Sequence, residues 1–247
     1  MMKKIITLAL AVAMAACVLT GCEGQSNKLT MATNAEFPPF EYLENGEIVG
    51  ADVEIATAIA EKLGKELEIS NIDFDAALTG AATGKYDMAV AGITANDERR
   101  KNMNFSVDYY TASQAIIVTA DSEIKSAADL EGKAVACQEG TTGEQYLLDG
   151  NYDQQSFKTG AEAVTALTSG KVVAVVIDDA VARALSAEQN GKTVVLDEAL
   201  TQEAYAIALK KGNDKLTAEI DAALEELKAD GTLAKIFEKY ELPYDAE

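Results

Sequence analysis

The hydrophobic positions fall into short blocks whose period switches repeatedly between that of a strand and that of a helix. "KLTMAT" (28–33) predicts a strand, and "EYLENGEIVG" (41–50) reads as a hairpin whose turn is supplied by Asn45 and Gly46. In "ADVEIATAIAEKLG" (51–64) the apolar residues recur at helical spacing, and Gly64 supplies the stop. "ELEIS" (66–70) predicts a strand and "FDAALTGAATG" (74–84) a helix. "DMAVAGI" (87–93) is a continuous apolar run, the pattern of a buried parallel strand. The second half repeats the scheme, with strands at 114–120 and 133–137, helices opening at 141 and 160, and another buried strand, "VVAVVID", at 172–178. From about Asp214 to Tyr240 the pattern is helical, with Gly231 as an interruption.

Two segments are alike: "AALTGAATGKYDMAVAG" (76–92) and "AVTALTSGKVVAVVIDD" (163–179). Each reads as a small-residue helix, a Gly-Lys turn and a buried strand, which predicts two α/β lobes built on one plan. In open α/β sheets ligands bind beyond the carboxyl ends of the strands. Those ends are Gly92, Ile93 and Thr94 in the first half and Asp178 and Asp179 in the second.

The amino end has a different character. Lys3 and Lys4 precede an apolar stretch over 5–19, followed by "LTGC" (19–22). A basic start and a short apolar run closed by small residues read as a secretory leader over 1–21, too short for a comfortable membrane span. The Leu-Thr-Gly-Cys ending resembles a bacterial lipobox. Cys22 would then become a lipidated N-terminus, with 22–27 as a polar tether, each acyl chain contributing about 0.8 kcal/mol per buried CH₂ to anchoring.

Charge and composition narrow the chemistry. The 247 residues carry 21 basic and 41 acidic side chains, a net charge of −20, and losing Lys3 and Lys4 with the leader makes it −22. That balance argues against nucleic acid, whose binding rests on phosphate neutralisation. The chain has no histidine, which removes His-based triads, His acid–base work and His-containing zinc sites. With Cys17 in the leader and Cys22 lipidated, Cys137 is the one remaining thiol, so no disulfide framework is expected; in its apolar stretch it reads as buried and inert. No metal or cofactor is implied.

Against this acidic background, "AGITANDERRKNMNFS" (91–106) sets Arg99, Arg100 and Lys101 side by side. One reading is a capped surface helix: Asn96 as cap, Asp97 and Glu98 in the first turn, and an Asp97–Lys101 pair. The other is an anion clamp, in which an Arg one turn into a helix beyond a buried strand grips a carboxylate through two parallel bonds. Asp179, at the other strand end, would supply an opposing negative partner, and the two together describe a site for a zwitterion.

The chain resembles the bacterial extracellular solute-binding proteins of family 3, which serve polar amino acid ABC transporters. The likeness is carried by "ATNAEFPPFEY" (32–42), "YDMAVAGITANDERRKNMNFSVDYY" (86–110), "GKAVACQEGTTGEQYL" (132–147) and "VVAVVIDDAVARAL" (172–185). It implies a two-lobed, type II periplasmic-binding-protein-like α/β fold with a ligand cleft between lobes and two hinge crossings. Residues 28–110 with 207–247 would form the large lobe and 114–203 the small one, with crossings at 111–113 and 204–206. By the resemblance, Arg99 binds the ligand α-carboxylate with help from Thr94 and Thr142. Asp179 takes the α-ammonium group, with the backbone of Gly92 as a second acceptor, and Phe37 and Phe74 flank the ligand side chain. Arg100 and Lys101 are then solvated helix residues.

The first loop carries Asn34 where the family often has Asp, and Gln138 stands where a basic residue can occur. With no second cation evident, an acidic side chain would lack a counter-charge. Asn34, Glu36, Gln138 and Asp178 offer hydrogen bonds or attract a cation, so a polar neutral or basic L-amino acid is expected. The implied function is a non-enzymatic receptor, monomeric and lipid-anchored outside the cytoplasm, on a Gram-positive surface in preference to a Gram-negative periplasm, delivering its ligand to a membrane permease. The alternative is an enzyme on the same scaffold, such as a cyclohexadienyl or arogenate dehydratase with Glu36, Glu139 or Asp178 as general acid. A ligand-sensing module acting in trans is a third, minor reading.

Overall fold

A computed structural model describes residues 27–244. The predicted leader, Cys22 and all but the last residue of the tether lie outside the described residues. The chain enters through β1 (Lys28–Thr33), forms a small antiparallel sheet from β2 (Glu36–Phe37), β3 (Glu41–Glu44) and β4 (Glu47–Val49), and continues into α1 (Ala51–Lys62). It then runs through β5 (Glu66–Asn71), α2 (Phe74–Thr83), β6 (Met88–Ala89), α3 (Asp97–Asn102) and β7 (Met103–Phe105). The first crossing is β8 (Tyr110–Ala112). The second lobe holds β9 (Gln114–Thr119), β10 (Ala134–Gln138), α4 (Thr142–Asp149), β11 (Asp153–Phe157), α5 (Gly160–Thr168), β12 (Ala174–Asp178), α6 (Asp179–Ala187) and β13 (Thr193–Val195). The chain returns along β14 (Glu203–Tyr205) and finishes with β15 (Ala208–Lys210), α7 (Asp214–Ala229) and α8 (Thr232–Lys239).

The two five-stranded sheets share a plan, as the repeated helix–turn–strand segment predicts. In the order β5-β1-β6-β15-β7 the first three strands are parallel and β15 runs antiparallel to both its neighbours. In the order β11-β10-β12-β9-β13 the first three are again parallel and β9 is the antiparallel insert. Each central apolar strand is therefore parallel to one neighbour only, and the sheets are mixed. The run 87–93 is also shorter as a strand than its hydrophobicity predicts. Only Met88 and Ala89 are paired, Val90 donates one more bond to the Ala32 carbonyl (3.1 Å), and Gly92 then turns the chain with φ +54°. Ala91 and Ile93 are buried as floor and core without being sheet.

Between the sheets, β8 and β14 pair antiparallel, with Tyr110 opposite Tyr205 and Ala112 opposite Glu203. An aromatic cluster fixes this ribbon: the Phe40 ring meets Tyr110 at 5.0 Å and Tyr205 at 5.2 Å, both edge-on, and Phe237 of α8 meets Tyr110 at 5.3 Å. Such pairs are favourable beyond their buried area, by about 0.5–1.5 kcal/mol each. Cys137 is buried, and burial pushes its thiol up to about 11, so it is inert as expected.

Turn chemistry accounts for the hairpin: Asn45 (φ 53°) and Gly46 (φ 85°) are both left-handed, as a tight two-residue turn requires. Gly50, before α1, is more constrained. Its φ is +131°, and a Cβ there would lie 2.1 Å from the Phe40 carbonyl oxygen. Gly50→Ala is expected to destabilise the fold by about 2–4 kcal/mol, since neither backbone can yield cheaply. Thermal or urea unfolding checks this; an unchanged midpoint would contradict it.

Candidate functional site

The carboxyl ends of β1, β6, β10 and β12 converge where the two sheets face one another, as strand-end binding in open sheets predicts. They enclose a small cavity between the lobes. Asn34, Phe37 and Glu41 enter from the first loop, Phe74 from the start of α2, and Ala91, Gly92, Thr94 and Arg99 from beyond β6. The other lobe contributes Gln138, Thr141, Thr142 and Asp178.

Arg99 is held by local structure. Asn96 caps α3, its side chain accepting from the Arg99 backbone N–H at 2.9 Å, which starts the helix so that Arg99 lies one turn from the strand end. Its guanidinium donates to the Thr94 carbonyl (2.9 Å) and, across the cleft, to the Gly140 carbonyl (3.0 Å), and lies 5.4 Å from the Phe74 ring centre. Burial lowers its pKa, while Asp178, Glu203 and Asp75 act to raise it; a guanidinium stays charged under both influences. Arg100 and Lys101 point elsewhere. Arg100 donates to the Ala95 carbonyl and sits 3.7 Å from Asp108, and Lys101 pairs with Glu98, not with Asp97 as the spacing had predicted.

The adjacent aspartates separate. Asp178 ends β12 and lines the cavity, 3% exposed, accepting a 2.5 Å bond from the Tyr205 hydroxyl. Asp179, expected from the sequence to face the ligand, starts α6 on the opposite side. One of its oxygens takes Arg183, one helical turn on, and the other accepts a long bond (3.4 Å) from the Ser113 N–H. The turn from strand to helix between these two residues sends their side chains apart, and Arg183 at i+4 captures the second. Glu36 is exposed and does not line the cavity. Asn34 and Gln138 meet across the cleft, Gln138 Nε2 donating to Asn34 Oδ1 at 3.1 Å.

Two acids absent from the sequence reading lie behind this front. Glu41 is fully buried and lines the cavity; its carboxyl shares a hydrogen bond with that of Asp52, and no other donor among the described residues meets its oxygens. Gln138 Oε1, also at the cavity wall, is an unpartnered acceptor. Asp52, at the start of α1, accepts the Gly92 N–H (2.8 Å) and the Tyr109 hydroxyl (2.9 Å), and so fixes the Gly92 turn from below. A Cβ on Gly92 would lie 2.6 Å from the Phe37 ring, so this close approach needs glycine. The signal for Glu41 was its place in "PFEY" beside Phe37, but hairpin alternation alone did not say which face it takes.

Desolvation dominates the acids. Burial, reinforced by Glu203, raises Asp178 to about 7 against the Tyr205 bond. Burial likewise raises Asp52 to about 6 against the Gly92 and Tyr109 bonds, and holds Glu41 well above the usual range, with Asp52 adding to it. A carboxyl with a raised folded pKa binds more protons folded than unfolded between the unfolded value near 4 and the folded value. Stability therefore rises as pH falls through that window. Without added amino acid, the melting temperature is expected to climb by a few degrees from pH 8 to pH 5, less steeply in Asp178→Asn. A flat or falling profile, or an unchanged slope in the variant, would contradict these surroundings.

Comparison with known proteins agrees with the geometry. The profile of bacterial extracellular solute-binding proteins, family 3, matches residues 29–243. The arginine-binding extracellular protein ArtP of Bacillus subtilis (strain 168) is 35% identical over 228 residues, 90% of this chain and 89% of that protein. An ancestral arginine-binding protein solved with arginine is 42% identical, with a TM-score of 0.82 over 87% of this chain and 98% of the other. An ancestral arginine-binding protein bound to glutamine gives 0.83 at 42% identity, over 87% and 97%. No helix among the described residues is long and apolar enough to cross a membrane. The chain belongs to the bacterial extracellular solute-binding proteins of family 3 and is an amino-acid-binding component of the ABC-transporter type, not an enzyme.

Proposed function

We propose that this protein binds a cationic L-amino acid, arginine above all, and delivers it to a membrane permease. The observation that carries the reading is Glu41, a fully buried carboxyl at the cavity wall that lies against the Asp52 carboxyl and meets no cation among the described residues. Arg99 takes the ligand α-carboxylate. Asp178, in place of Asp179, takes the α-ammonium together with the Gly92 backbone, and Phe37 and Phe74 flank the aliphatic stem. That pairing consumes the one cation and one of the two acids among the described lining residues, leaving Glu41. What is left at the wall, the Glu41 carboxyl beside Asp52 and Gln138 Oε1, offers acceptors, and a guanidinium is all donors. Relatives named as arginine-binding support the same ligand. Glutamine is the second reading: a protonated Glu41 is neutral and calls for no cation, and an ancestral arginine-binding protein is known with glutamine. The lipobox reading of Cys22 adds a membrane anchor, a Gram-positive surface suits a lipid-anchored chain without disulfides, and a monomer suffices for this role.

A melting-temperature scan of unfolded and refolded protein against the twenty L-amino acids tests the ligand, since ligand at a hundred times Kd stabilises by about 2.7 kcal/mol. Arginine is expected to give the largest shift. Glu41→Gln is expected to weaken arginine at least tenfold while leaving glutamine unaffected. Arg99→Ala is expected to weaken every amino acid by about 3–5 kcal/mol, several hundredfold or more, because a desolvated carboxylate is left unpaired. Arginine binding undiminished in Glu41→Gln would refute the cationic reading, and unchanged affinity in Arg99→Ala would refute the clamp.

A further inference from the structure

Glu41 opens β3 and Asp52 stands in the first turn of α1, and the two segments are clamped together. The Asp52 N–H donates to the Phe40 carbonyl at 2.9 Å, and a Cβ on Gly50 would lie 2.9 Å from the Glu41 nitrogen. Both side chains are fully buried, Glu41 at the cavity wall and Asp52 behind it. Their carboxyl groups share a hydrogen bond. Two carboxylates offer only acceptors, so that bond contains one proton, and the pair carries one negative charge and not two.

The remaining contacts decide which acid holds the proton. The Tyr109 hydroxyl lies 2.9 Å from each Asp52 oxygen, and the Gly92 N–H donates to Oδ2 at 2.8 Å. Both stabilise Asp52 as the ionised partner. Glu41 meets no other donor among the described residues, so the proton is its own. Two further charged groups face the pair. Asp178, from β12, disfavours ionisation of Glu41, and Arg99, the cation of the described wall, is engaged by the Thr94 and Gly140 carbonyls. Tyr109 is itself held neutral by burial.

We infer that Asp52 is a specificity-determining residue that acts through Glu41: it keeps the proton of the pair on Glu41, so a cationic ligand side chain is accepted only in exchange for that proton, which leaves to solvent. A neutral side chain is held with the proton in place. Asp52 is a positioning residue, since it lies behind the wall and works on the ligand through its neighbour. The inference rests on the reading that the ligand side chain meets Glu41.

The test is calorimetric titration of arginine into the parent and Asp52→Asn, in two buffers of different ionisation enthalpy. In the variant the amide oxygen keeps the Gly92 and Tyr109 bonds, while its NH₂ donates to an ionised Glu41. Between about pH 5.5 and 7.5 the variant is expected to release about one proton fewer per arginine, and its affinity to climb about tenfold less per pH unit than the parent's. Any proton from Asp178 is common to both proteins and cancels. Equal proton release in the two proteins would overturn the inference. If the parent does not bind arginine, the reading of the ligand fails; in that case, or should Asp52→Asn not fold, the pair is judged by the infrared carboxylic-acid band of the protein alone at pH 7. That band is expected to weaken in Glu41→Gln and in Asp52→Asn, and a band as strong as the parent's in either folded variant overturns the inference.

Discussion

Burying charge between two lobes is the constraint on which this structure turns. Glu41, Asp52 and Asp178 are all drawn out of water around a cavity whose described wall holds a single cation, Arg99. An isolated buried carboxylate is costly, and it either finds a partner or gives up its ionisation. Asp52 finds the Gly92 N–H and Tyr109, and Asp178 finds Tyr205. Glu41 finds only the Asp52 carboxyl. Under the proposed reading, a ligand with positive charge on its side chain would supply the compensation, and the electrostatics of the site would be completed by what it binds.

The hinge has the complementary task of letting the lobes meet and part without disturbing either core. Its ribbon of β8 and β14 is short and packed by the rings of Phe40, Tyr110, Tyr205 and Phe237. Tyr205 belongs to both tasks: its ring packs in the hinge cluster and its hydroxyl donates to Asp178 in the cavity. Across the cleft, Arg99 meets Gly140 and Gln138 meets Asn34. Each draws one partner from each lobe, and a ligand that prefers the joined arrangement shifts the population towards it.

Much of this was legible in the sequence because it depends on local pattern. Helical spacing located α1, α2 and α5, Gly64, Gly84 and Gly231 ended or interrupted helices as expected, and the repeated helix–turn–strand segment announced two sheets of one plan. Arg99 was findable because a helix cap after an apolar run is a local feature. What escaped depends on long-range packing. Of two adjacent aspartates, only the geometry of the β12–α6 turn decides that Asp178 faces the cavity and Asp179 meets Arg183. Glu41 and Asp52 look like ordinary surface acids in the chain, and they acquire their roles from the far-off elements that cover them. The apolar run 87–93 misled in the opposite sense, since its residues are buried as cavity floor and core and mostly not as strand.

The proposed ligand places a positive side chain opposite Glu41. Isothermal titration of arginine and of its uncharged isostere citrulline, at pH 7 in two buffers of different ionisation enthalpy, measures affinity and proton exchange together. Arginine is expected to bind at least tenfold more tightly than citrulline and to release protons, because the cation draws a raised carboxyl into its ionised form. Citrulline binding as tightly as arginine, or arginine binding with no proton released, would contradict it.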